Sequence, residues 1–373
     1  MAPMLVMNAA ADPRAAHGIA AGSAAAGPGG ALVPMRLSRL LALLGVVLFV
    51  FAGFMAAPVS AQIKPPAKVR YSEVVRSLLY APAYVAISRG YFRDAGIDLS
   101  MTTAQGGDKS MAALLGNVAD IALIGPETTV YVRNSESPTK VKIFAGLTAT
   151  DGFVLMSRTR PVLPFDWKVL KGRDILGFRP GSTPLLYFEA ALRKHGIDPA
   201  RDVKLANNIG VPARFGSWLA GQNQYAIFIE PDASQLELDG KAFAIASIGE
   251  EVGLADYTAF MATERFIRER PEVVQGWTDA ILRAQKWTEA ASTAEMVKTL
   301  AEFFPGVNAP TLGFAIERYR RTRMWKTSPV IDPAAIERFQ DILVQGGVLE
   351  PARRVRFDDL VTNEFARKAV SGR

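Results

Sequence analysis

The sequence predicts an α/β fold of two lobes, each a mixed, mainly parallel sheet flanked by helices, joined by a hinge of two crossovers. Three observations predict it. Strand-like and helix-like segments alternate from residue 69 onward, which is the pattern of βαβ units. The alternation restarts at "ILGFRPGSTPLLYFEAALRKHG", giving two units of similar size in series. After Glu250 a single extended stretch, "YTAFMAT", is followed only by helices, so the chain returns to an existing sheet.

In the first unit Val69–Val75 reads as a strand. Tyr84–Arg93 reads as a helix with Tyr84, Ile87, Ser88, Tyr91 and Phe92 on its apolar face. Ile97–Thr103 is the next strand, and Gly106-Gly107-Asp108 a turn with Asp108 as N-cap of the helix "KSMAALLGN". "ADIALIG" and "VKIFAGL" are further strands. In the second unit a strand, a Gly-Ser-Thr turn and a helix closed by Gly196 come first. "DVKLANNIG", "YAIFIEP" and "AFAIASIG" read as strands and "PARFGSWLAGQ" as a helix. Helices are expected at Pro271–Ala290, Thr293–Phe304, Thr311–Arg321 and Pro333–Gln345. The expected lobes are 66–154 plus 257–373, carrying the C-terminal helices, and 155–256.

A different kind of segment precedes the fold. Residues 1–34 are rich in Ala, Gly and Pro with no apolar period, as in a disordered extension. Arg36 and Arg39, an apolar run from Leu40 to Ala57 and Val59-Ser60-Ala61 then form the three parts of an export signal over 35–61. The run is also long enough to serve as an uncleaved membrane anchor.

Composition removes several classes of chemistry. Among 373 residues there is no cysteine and only two histidines, His17 and His195, so disulfides, thiolate metal sites and cysteine nucleophiles are excluded. His195 ends a helix before Gly196 and accompanies no nucleophile-elbow or HExxH pattern. No catalytic residue, metal site or cofactor is therefore expected. The net charge of +7 is dispersed, without the stripe a nucleic-acid groove needs.

Ligand sites in such folds lie beyond strand C-terminal ends, facing the cleft. Tyr80, just past the first strand, offers an aromatic wall with a hydroxyl; packing of the turn is its ordinary alternative. Glu127 and Thr128 follow "LIG", where the carboxylate either meets ligand N–H groups or serves as a helix N-terminal charge. Asp151 lies beside the first crossover. Ser182 and Thr183 open a helix and can face an acceptor group, whether or not one of them is the N-cap. Glu230 ends a second-lobe strand as the counterpart of Glu127. Arg76 and Arg179 flank the cleft and could instead bind an anion, and Trp218 is the tryptophan expected to reach it.

Four stretches carry a resemblance: "YVAISRGYFRDAGIDL", "AALLGNVADIALIG", "LKGRDILGFRPGSTPLLYFEAALRKHGID" and "MATERFIRERPEVVQGWTDAILRAQKW". In this order and spacing they resemble the periplasmic solute-binding proteins of ABC importers, most closely the nitrate/taurine/sulfonate and thiamine-pyrimidine-like branch. The resemblance implies the type II periplasmic-binding-protein fold and capture of a small solute. It also implies a monomer that delivers the solute to a permease and its ATPase in the inner membrane. Without a lipid-attachment cysteine, the implied location is free in the periplasm. Aliphatic sulfonates, nitrate, pyrimidines, flavins and aromatic carboxylates all stay open as ligands; the acids and tyrosines favour a nitrogen heterocycle, pyrimidine-like, over a sulfonate- or nitrate-type anion. An enzyme on the same fold and a membrane-tethered sensor are the rival readings.

Overall fold

In the computed structural model, residues 65–162 and 164–372 are described. The expected extension at 1–34 and export signal at 35–61 lie outside the described residues. Two five-stranded sheets organise the rest. The first comprises β1 (Ala67–Glu73), β2 (Ile97–Thr103), β3 (Ile121–Ile124), β4 (Val141–Thr148) and β10 (Thr258–Thr263), in the order β2-β1-β3-β10-β4. The second comprises β5 (Val154–Ser157), β6 (Asp174–Leu176), β7 (Lys204–Ala206), β8 (Tyr225–Phe228) and β9 (Phe243–Ser247), in the order β7-β6-β8-β5-β9.

The register decides what the sheets can do. β1 runs parallel to β2 and β3, and β6 parallel to β7 and β8, so each set delivers its C-terminal ends to one edge. β10 and β5 run antiparallel within their sheets, so their N-terminal ends arrive at those same edges. The chain passes between sheets twice, once between β4 and β5 and once between β9 and β10. Glycine lets these two passages touch. A Cβ on Gly249 would lie 2.2 Å from the Asp151 carbonyl oxygen, a backbone atom with no room to yield.

Burial follows the face predicted over Tyr84–Arg93 only in part: Tyr84 and Phe92 are buried, Ile87 and Tyr91 are half-buried, and Ser88 is exposed. Trp277, on the helix Pro271–Ala290, packs its ring centroid 4.3 Å from Phe92 and 5.3 Å from Tyr71, against the first sheet. Val154, Met156, Leu176, Trp218 and Phe228 form a smaller cluster in the second. The helices Ala309–Arg321 and Pro333–Gln345 reach the second-sheet helices Asp232–Leu238 and Thr183–Lys194 respectively.

Some local expectations are corrected. The single helix expected over Tyr84–Arg93 is two, Ala81–Ser88 and Tyr91–Asp94, because Gly90 adopts φ 73° between them. Tyr84 is core, as its face predicts: its ring stacks 4.7 Å from Phe303 and its hydroxyl donates to Glu73 Oε2 at 2.6 Å. Asp108 does not cap its helix, which begins at Gly107 after Gly106. Among the described residues no helix is long and apolar enough to cross a membrane.

Candidate functional site

The converging strand ends enclose a cavity of about 650 Å³. The turn after β1 contributes Val74 to Arg76 and then Leu79 and Tyr80; the turn after β3 contributes Gly125, Glu127 and Thr128. From the second sheet come Phe178 to Thr183 after β6 and Ile229 to Asp232 after β8. Phe153 and Tyr257 enter from the two hinge passages. The size suits a small organic molecule, and the walls are mostly aromatic and aliphatic.

The lobes meet across this cavity. Arg179 donates to both Asp108 oxygens, at 2.7 and 3.0 Å, and holds that carboxyl below the usual carboxylate range. The Tyr131 hydroxyl donates to the Gly181 carbonyl at 2.9 Å. Nearer the hinge, the Ser77 hydroxyl donates to the Glu230 carbonyl at 2.8 Å. Glu127 and Thr183 close over Gly125 from opposite lobes. A Cβ there would lie 2.1 Å from Glu127 Oε2 and 2.2 Å from the Thr183 hydroxyl, so any larger residue would have to displace these side chains.

Glu127 is a cavity-lining acid in an unusual environment. It opens the helix Glu127–Arg133, is 5% exposed, and its Oε2 has no hydrogen-bond partner. Burial pushes its carboxyl up to about 7, against the opposing pull of the Thr183 hydroxyl and backbone. Thr128 lines the cavity beside it but donates its hydroxyl to the Gly125 carbonyl at 2.8 Å. Tyr80 is buried in the 3₁₀ turn Leu78–Tyr80 and contributes to the cavity wall, where burial raises its hydroxyl pKa. Ser182 donates to the Arg179 carbonyl at 2.6 Å and makes no side-chain cap, so it shapes the turn.

Two proposed site acids are placed differently. Asp151 does not line the cavity; it is buried in the first hinge passage, accepting from the Phe153 amide at 2.6 Å. Burial pushes its carboxyl up to about 7. Glu230 does border the cavity, but its carboxylate is occupied. Oε1 accepts from Arg318 Nη1 at 2.6 Å and Oε2 from the Ser234 amide at 3.0 Å. The symmetry with Glu127 expected from strand position therefore fails, because a helix 88 residues onward supplies the counter-ion. Trp218 is also absent from the cavity. It is fully buried in the second lobe, its indole donating to the Lys241 carbonyl at 3.2 Å.

Arg214 and Asp232 are among several lining residues that were not anticipated. Arg214 is 3% exposed, lies 3.7 Å over the Phe178 ring, and donates to the carbonyls of Leu176, Gly177 and Ile227. Burial lowers its pKa to about 9. Asp232 lines the cavity just beyond Glu230-Pro231. The "GVPAR" and "EPDA" stretches carry these residues, but nothing local distinguishes their charges from solvated ones.

The family model described as "NMT1/THI5 like" matches residues 79–292. A protein of Bacillus subtilis (strain 168), described as "Putative binding protein YtlA", is 36% identical over 304 residues, 82% of this chain and 90% of that protein. Among solved structures, the nitrate-binding protein NrtA from Synechocystis PCC 6803 matches with a TM-score of 0.68 and 16% identity. The match covers 82% of this chain and 89% of that one. The alkanesulfonate-binding protein SsuA from Xanthomonas axonopodis pv. citri, bound to MOPS, matches with a TM-score of 0.66 and 18% identity, covering 80% and 99%. At these identities the structural matches establish the fold.

Proposed function

The chain belongs to the NMT1/THI5-like family, and from that premise we propose that it is the solute-binding component of an ABC importer. It captures a small organic solute between its lobes and presents the closed complex to a membrane permease. Closure is favoured by ligand contacts made to both lobes at once, which exist only in the closed state. The chain works as an exported periplasmic protein, and N-terminal sequencing of the exported form would show whether Leu40–Ala57 has been removed.

One observation carries the choice of ligand: the charges that line the cleft are already partnered, with the exception of Glu127 and Asp232. Arg76 pairs with Glu73 at 2.8 Å, Arg179 with Asp108, and Arg214 with backbone carbonyls. Glu127 Oε2 has no partner. A sulfonate or nitrate would have to displace an existing pair to find a cation, whereas an N–H donor meets an open acceptor directly. We therefore assign a neutral or weakly basic nitrogen heterocycle, its ring between Tyr80, Phe153 and Phe178 and an N–H group on Glu127. Native mass spectrometry of the protein from its own periplasm tests this. A retained solute with ring nitrogen and N–H groups supports it; a retained sulfonate or nitrate overturns it.

A further inference from the structure

We infer that Asp232 is the second lobe's ligand-binding acid, so that the cleft selects solutes bearing N–H groups at two opposite ends, one for Glu127 and one for Asp232. The inference rests on the reading of the cleft as a site for an N–H donor and narrows it.

The strand-end acid of the second lobe is Glu230, and it is unavailable to a ligand. Both of its oxygens are bonded, to Arg318 and to the Ser234 amide, and the side chain has no exposed area. Asp232 follows two residues later and lines the same cavity. Among the described residues no hydrogen bond or ion pair engages its carboxylate. The nearby cation, Arg214, is directed at three carbonyls instead and makes no ion pair with it. Its charge acts on Asp232 only from a distance, opposing the burial and the Glu230 charge that push the carboxyl up to about 6.

Glu127 supplies the second, independent observation. It is a side chain more than nine-tenths buried, with an unpartnered oxygen, in the same cavity but from the opposite lobe. A ligand that satisfies both acids bridges the lobes. A ligand with one N–H group satisfies one acid and leaves the other, buried Glu127 or half-buried Asp232, without a partner in the closed cavity, which carries its own penalty. Selectivity and closure thus arise from the same pair of contacts.

The test uses 2,5-diaminopyrimidine, whose amino groups point to opposite ends of the ring, and 2-aminopyrimidine, which lacks one. Titration calorimetry at pH 7.5 should give the diamine an advantage of at least about tenfold on the wild-type protein, as one charge-assisted hydrogen bond is worth. D232N and E127Q should each abolish that advantage. D232S provides a second, smaller replacement should D232N fold poorly, and unfolding midpoints report on the fold of every variant. If the advantage survives in D232N and D232S but is lost in E127Q, the role of Asp232 is overturned while the N–H reading stands. If the diamine fails to bind wild type and methanesulfonate binds, both are overturned. Equal affinity of the two amines for wild type overturns the two-ended selection alone.

Discussion

Raising the pH from 5 to 8 on ligand-free protein should destabilise it in a way that E127Q does not share. Glu127 is 5% exposed and its carboxyl is pushed up to about 7 by burial, from an ordinary 4.5. Between those values the folded protein holds a proton that the unfolded chain releases. The stabilisation is therefore complete below about 4.5 and is lost as pH rises through 7, the reverse of a salt-bridged carboxylate. At about 1.4 kcal/mol for each tenfold change in proton occupancy, the loss between pH 5 and 8 comes to about 2.5 kcal/mol. Glutamine keeps the shape and removes the titration. Asp151 and Asp232, pushed up to about 7 and about 6, titrate in both proteins, so the difference between the two profiles isolates Glu127. Urea unfolding at each pH, followed by fluorescence of the buried Trp218 and Trp277, supplies the free energies. E127Q should gain on wild type steadily up to pH 8. Parallel profiles would refute the burial argument.

Three further outcomes follow from contacts already described. Gly125→Ala places a methyl against Glu127 Oε2 and Thr183, so affinity for 2,5-diaminopyrimidine should fall at least about tenfold, with overpacking costing about 1–3 kcal/mol in the closed form. X-ray scattering should find the variant more open at saturating ligand. Arg318→Ala leaves the Glu230 carboxylate, whose side chain is fully buried, without its cation and should lower unfolding free energy by about 3–5 kcal/mol. Asp108→Asn removes an interlobe pair whose side chains are 48% and 60% exposed, so denaturant unfolding should change by less than about 1 kcal/mol.

The architecture was largely legible because it is written in short-range patterns. Runs such as "ADIALIG" and "YAIFIEP", bounded by turn residues, mark buried strands, and their alternation with helices dictates parallel pairing. The break at Gly90 was visible as a residue type but not as an angle, since a glycine within a helical period can also simply be tolerated. Site residues were legible where position alone decides them. Glu127 and Thr183 each open the helix that follows a strand, β3 and β6 respectively, so the topology carries them to the cleft. Glu230 was placed by the same rule, and the rule was incomplete. Its environment is set by Arg318, on a helix whose docking no local pattern encodes. Trp218 failed for a related reason: helical periodicity assigns faces, and only tertiary packing says which face meets the core.

Charge shows the same separation between chain and site. The protein as a whole carries +7, which taken alone favours an acidic partner. On the proposed reading the cleft reverses that preference, because what a ligand meets is the charge left unpartnered after folding. Arg76, Arg179 and Arg214 are each engaged by an acid or by carbonyls. Glu127 is left with an open oxygen, and among the described residues no hydrogen bond or ion pair engages the Asp232 carboxylate, which only more distant charges affect. A count of arginines near the site would therefore point to an anion, and a count of their free donors points away from one. That difference arises from pairings such as Arg318 with Glu230, 88 residues apart in sequence, which no strand-end motif records.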